Sequence, residues 1–212
     1  MVLGIGFVLT GPLAAPLRAE DAVSQRVASA RTSAWNSITF VWSHIGNTEI
    51  VIGVCIVVSV VVLWRTRDWR FAAVPALALL LQAVIFGTVS TLVGRARPPV
   101  AELDLAPPTT SYPSGHVGAS TALYLTLALL AVRIHRAWLR RITIIVCLAI
   151  PLLVAFARLY RGMHHITDIA AGLLNGVICA LLAVGWYKHR ARTAASPPKG
   201  VEPPSASTGQ PD

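Results

Sequence analysis

The sequence predicts an all-α protein, a multi-pass transmembrane bundle of about six helices. Composition is the first ground: of 212 residues, 55% are hydrophobic and 13% charged, with a mean hydropathy of +0.65, far from the mix of soluble domains. Charge-free runs at residues 50–64, 71–94, 117–132, 142–157 and 169–187 are the second. The third is that Lys and Arg, which set a formal charge of +9, gather in alternate connections between those runs.

Taken in order, residues 1–17 are apolar but contain Pro12, Pro16 and three glycines. A first crossing, a truncated crossing and a secretory signal all stay open for them, although no Lys or Arg precedes the apolar part as a signal requires. The five later runs are each expected to cross. At about 1.5 Å per helical residue, 16 residues cover about 24 Å, so the shorter runs need a flanking turn or snorkelling Arg ends to cross about 30 Å of hydrocarbon. Cys55, Cys147 and Cys179 lie inside apolar runs, where a thiol acts as a small hydrophobe, and no disulfide or metal site is read from them. The Pro- and Ser-rich end, Thr193 to Asp212, is expected to be a disordered tail, leaving residues 1–192 as the membrane domain.

The charge has a simple reading. Arg65, Arg67 and Arg70 sit in one connection, Arg133, Arg136, Arg140 and Arg141 in another, and Lys188, Arg190 and Arg192 follow the last run. The positive-inside rule places all three on the cytoplasmic face of a cell membrane. A basic rim beside membrane lipids accounts for the isoelectric point near 10.5 without a nucleic-acid surface. Residues 18–49, 95–116 and 158–168 are then extracytoplasmic.

Two of those outward connections hold the chemistry, GRARPPVAELDLAPPTTSYPSGH and RLYRGMHHITD. Ionisable groups pressed against apolar runs are costly, so His116, Arg158, His164 and Asp168 are functional candidates by default. Ser114 suits an N-cap for the helix beginning near His116, and Gly115 permits close approach to the backbone. The free N–H groups of such a helix start attract an anion. His164 and Asp168 are four residues apart; on one helix face the carboxylate would accept the imidazole Nδ1 proton and leave Nε2 as a nucleophile. A cation at the same place would be repelled by converging arginines, whereas Arg97 and Arg158 suit a phosphate.

GRARP (94–98), PSGH (113–116) and RLYRGMHHITD (158–168) together resemble the three-part signature of the type 2 phosphatidic acid phosphatase superfamily, over about residues 45–187. That resemblance implies a six-helix membrane bundle with its active site at the outer end. It implies His164 as the nucleophile that becomes a phosphohistidine, Asp168 as its support, and His116 as acid and then base. Arg97, Arg158, Ser114 and the Gly115 amide would bind phosphate, with no cofactor and no metal. The expected substrate is a lipid mono- or diphosphate, isoprenyl diphosphate first and phosphatidate or phosphatidylglycerol phosphate next, with no obligatory protein partner. His165 has no role in the pattern.

Two positions depart from it. Ser90 stands where the signature begins with a lysine, and Ala157 where a serine precedes the arginine of the third part. Arg95 is nearby as an accessory cation. Loss of one charged phosphate contact costs on the order of a hundredfold in rate. A weakly active or inactive member that binds lipid phosphates or partners is therefore the alternative.

Overall fold

The computed structural model describes residues 1–13, 19–105 and 110–195. These residues form eight helices and no strand: α1 Val2–Thr10, α2 Ala19–Ser29, α3 Ser33–Ile45, α4 Thr48–Thr66, α5 Trp69–Leu92, α6 Gly115–Ala131, α7 Ala137–Tyr160 and α8 Ile166–Ala195. Helices α4, α5, α7 and α8 are long and apolar enough to span a membrane. Together with the shorter α6 they match the five runs seen in the sequence. Rows of exposed Ile, Val and Leu, such as Ile56, Val60, Ile145 and Leu152, are what a lipid-facing surface requires. The predicted tail lies outside the described residues from position 196 onward, while α8 continues through Thr193 to Ala195.

The apolar stretch at 1–17 resolves differently from the long runs. Its described part is the nine-residue α1, about 13.5 Å long and too short to cross. It packs Val2 and Leu9 onto Val89, Val93 and Tyr112, and the Tyr112 hydroxyl donates to the Val2 carbonyl at 2.8 Å.

Helix α6 is the centre, packed against α4, α5, α7 and α8. Its contact with α8 is backbone to backbone. A Cβ on Gly172 would meet the Ser114 carbonyl at 2.7 Å, and one on Gly176 would meet the Gly118 carbonyl at the same distance. This is a Gly-x-x-x-Gly face, GLLNG at 172–176, of the kind that lets membrane helices approach closely.

The three basic connections share one end of the bundle. Tyr187 of α8 donates to Asp68 between α4 and α5 at 2.9 Å, and Arg133 after α6 donates to Tyr187 at 3.1 Å. The Arg133 guanidinium also lies 4.5 Å from the Phe71 ring centre. Asp68 in turn caps α5 by accepting from the Phe71 N–H at 3.1 Å. Segments 93–105, 110–114 and 161–165 lie at the opposite end, cross-tied by Leu103 N–H to Arg161 O at 3.1 Å and, to the start of α8, by Ser114 N–H to Asp168 O at 3.0 Å.

Candidate active site

The turn out of α7 delivers the first histidine. Met163 N–H bonds Arg158 O at 3.0 Å and Gly162 N–H bonds Leu159 O at 3.1 Å, the two bonds of a Schellman ending. Gly162 supplies the left-handed residue, with φ of 76°; a Cβ there would meet Arg31 and Val100, each at 2.8 Å. Two residues later His164 is buried beside the start of α8. Its Nδ1 lies 2.8 Å from the Ser111 carbonyl. A carbonyl only accepts, so Nδ1 carries the hydrogen and Nε2 keeps its lone pair. Burial first, then the Arg158 and Arg97 charges, push the imidazole pKa down to about 3, against the opposing pull of Asp168.

His164, His116, Arg97, Arg158 and Gly115 line one cavity of about 500 Å³. Three stretches distant in sequence thus converge at one end of the bundle. His116 Nε2 lies 3.0 Å from Asn47 Oδ1. Asn47 occupies the N-cap of α4 yet makes no side-chain capping bond, because its amide oxygen is engaged by the histidine. Arg97 donates to the Met163 carbonyl at 2.9 Å and lies 3.8 Å from Glu102. Arg158 Nη1 reaches Ser43 Oγ at 3.0 Å and Asp104 Oδ2 at 2.9 Å. Arg161 holds the other Asp104 oxygen at 2.8 Å.

Two donors are left over. Arg158 Nε and Ser114 Oγ are buried and have no hydrogen-bond partner among the described residues. Ser114 does occupy the N-cap of α6, as the sequence suggests, but its hydroxyl makes no capping bond. Buried donors of this kind call for an explanation; Arg158 lines the cavity, and Ser114 directly precedes Gly115 of its lining.

The expected bond from His164 Nδ1 to Asp168 is not the one formed. Asp168 Oδ2 instead accepts from the His165 N–H at 2.9 Å, His165 Nδ1 at 3.2 Å and Ser111 Oγ at 2.6 Å. The reason is the register of α8. The helix begins at Ile166, so His165 is its N-cap and Asp168 its third residue, whose side chain reaches back to the cap N–H as in a capping box. His164 precedes the helix, and the one-turn spacing does not apply to it. Asp168 therefore reaches His164 by its charge and by way of Ser111, whose hydroxyl it holds and whose carbonyl faces the imidazole Nδ1.

Arg95 belongs to this second cluster and does not line the cavity. It bonds Asp168 Oδ1, Thr167 at 2.6 Å and Glu20 at 2.8 Å. Glu20 also accepts from the Thr167 N–H at 3.1 Å, and Asp21 lies 3.1 Å from His165 Nε2. Helix α2 thus clamps the N-terminus of α8. Ser90 is buried; its hydroxyl contacts Gly87 O at 3.3 Å and its carbonyl accepts from Thr110 at 3.0 Å. Asn47, Asp104, Ser43, Ser111, Glu20 and Asp21 belong to no sequence pattern and were not foreseen. The only hint was that 18–49 and 95–116 carry carboxylates opposite their arginines.

The profile of the PAP2 superfamily matches residues 69–192. The chain is similar to phosphatidylglycerophosphatase B of Bacillus subtilis (strain 168), 24% identical over 178 residues, which are 79% of this chain and 83% of that one. Its fold is similar to the crystal structure of a transmembrane PAP2-type phosphatidylglycerolphosphate phosphatase from Bacillus subtilis, with a TM-score of 0.78 at 21% identity over 89% of this chain and 94% of that one. Aquifex aeolicus LpxE superposes with a TM-score of 0.59 at 20% identity over 77% of this chain and 93% of its own. With the profile spanning more than half of the sequence and four helices long and apolar enough to cross a membrane among the described residues, this chain is a membrane protein that belongs to the PAP2 superfamily.

Proposed function

We propose that the protein is a lipid phosphate phosphatase working through a phosphohistidine. The observation that carries this is a cavity in which an unprotonated imidazole, a second imidazole and two arginines meet, beside two buried donors that lack partners. The phosphate sits between Arg97 and Arg158, with Ser114 Oγ and the Gly115 amide as further donors. His164 Nε2 attacks phosphorus and the ester P–O bond breaks. His116 gives the departing oxygen its proton. It then takes a proton from water, which attacks the phosphohistidine and releases inorganic phosphate. The arginines supply the positive charge that a metal ion provides in many phosphoryl-transfer sites.

The cavity continues from these residues along Val51, Ile52, Leu79 and Leu80, an apolar slot between α4 and α5 suited to an alkyl chain. Phosphatidylglycerol phosphate is the first substrate to test, ahead of isoprenyl diphosphate and phosphatidate; the name of the Bacillus subtilis relative supports that order. Because the basic connections share the far end, the positive-inside rule puts the site on the extracytoplasmic face of the cell membrane. Purified protein in detergent is expected to release phosphate from phosphatidylglycerol phosphate in the presence of EDTA. Rapid quench should trap an acid-labile phosphoryl adduct that His164→Ala lacks. Release that requires Mg²⁺, or an adduct that persists in the variant, would overturn the mechanism.

A further inference from the structure

We infer that Gln82 recognises the ester carbonyl of an acylglycerol phosphate, and so sets a preference for glycerophospholipids over isoprenyl phosphates at the phosphatase site proposed above. Gln82 is the one side-chain amide in the apolar α5. It is 4% exposed and lines the cavity, and its amide has no hydrogen-bond partner among the described residues. An amide that faces a largely apolar cavity in a membrane helix without a protein partner is unfavourable until a ligand pairs with it. Room for it is made by Gly118 of α6, where a Cβ would stand 2.6 Å from Gln82 Nε2. Gly118 lies three residues, about 4.5 Å, along α6 from Gly115 at the phosphate level. The amide therefore waits below the phosphate, where the wall of the cavity turns from polar to apolar.

The first carbons of the lipid decide what it meets. In an acylglycerol phosphate an ester carbonyl follows the phosphate by a few bonds, and it can accept from Nε2. An isoprenyl phosphate offers only CH₂ and alkene carbons at that depth. One neutral hydrogen bond in a dry slot is worth about three- to tenfold in affinity.

The test uses the full chain in detergent with three probes: dioctanoyl phosphatidate, its dialkyl ether counterpart, which lacks both carbonyls, and farnesyl phosphate. Dissociation constants are measured in a His164→Ala background to prevent turnover. With Gln82 present, the ester should bind about three- to tenfold more tightly than the ether. Gln82→Leu should erase that difference, leave the ether and farnesyl constants unchanged, and hold or raise Tm, since no bond within the protein is lost. Gln82→Asn, which withdraws the amide by one methylene, should fall between. Equal binding of ester and ether, equal weakening of all three probes by Gln82→Leu, no binding of any probe, or a fall in Tm would each overturn the proposal. Phosphate release by the parent protein is read separately. An ester preference without release rejects the phosphatase activity and leaves the Gln82 subsite standing, while release without the preference rejects Gln82 alone.

Discussion

His164 and His165 are adjacent and both buried, yet they belong to regions of opposite electrostatic sign. His164 faces Arg97 and Arg158 in the cavity, and its pKa falls to about 3. Burial also presses on His165, but the bonds from Asp168 and Asp21 outweigh it and its pKa rises, Arg95 notwithstanding. The arginine side retains buried donors without partners, Arg158 Nε and Ser114 Oγ. On the acid side, Arg95, Glu20, Asp168 and Thr167 engage one another, and Asp21 engages His165. An environment that separates two neighbouring imidazoles in this way supports separate roles for them, His164 as the proposed nucleophile and His165 as a tie between α2 and α8.

The sharpest break of this comparison is a pair of alanines. His164→Ala removes the proposed nucleophile and is expected to lower kcat by about 10⁴-fold or more. His165→Ala should cost no more than about tenfold in kcat, and its main effect should be faster proteolysis between α2 and α3. Comparable losses of kcat would show that the two histidines share one function. The arginines give a second, smaller contrast. Arg158→Lys loses the fork that offers Nε and is expected to reduce kcat/KM by about a hundredfold. Arg95→Lys touches no cavity atom, so it should lower Tm while leaving KM in place. A raised KM in Arg95→Lys would put that side chain on the substrate.

The same two imidazoles give stability slopes of opposite sign. His164 has a folded pKa below its unfolded value, near 6.5 for an imidazole. Its contribution is present above that value and is lost as pH falls toward about 3. His165 has a raised folded pKa. Its contribution is present below the unfolded value and is lost as pH rises through the folded one. Protection factors of α2 amides should therefore fall as pH rises above the unfolded value of about 6.5, and His165→Gln should flatten that response. An α2 that loosens only toward acid would reverse the assignment.

Much of this was legible in the sequence, for identifiable reasons. Charge-free runs of 15 or more residues have few alternatives to helices, and five of them became α4 to α8 within a few residues. Converging Arg97, Arg158, His116 and His164 were also foreseen, because ionisable groups at both ends of apolar runs leave one shared face on which to meet. The failures are local. One residue of register at the start of α8 moved the Asp168 bond from His164 to His165. Spacing cannot fix where a helix begins when two histidines precede it. Residues such as Asn47 and Asp104 act through contacts 69 and 54 positions away in sequence, and no periodicity carries that information. The first 17 residues were ambiguous because a short docked helix and a truncated span have the same composition.

The smallest expected effect concerns Ser90, where the family signature has lysine. Thr110, whose hydroxyl bonds the Ser90 carbonyl, lines the cavity beside Arg97, so a lysine at 90 starts one neighbour away from the phosphate. Its ammonium would need to pass from a buried site into the cavity, and the four-carbon stem has the length for that. A third cation would favour the charge that develops in the transition state, but Arg97 and Arg158 already repel it when the cavity is empty. The two effects partly offset, and Ser90→Lys is expected to raise kcat about two- to tenfold, well short of the roughly hundredfold value of a single charged contact. Steady-state rates on phosphatidylglycerol phosphate at fixed ionic strength measure it. A rate that falls while Tm holds would mean that the arginine side has adapted to two cations, with Glu102 and Asp104 balancing the charges present.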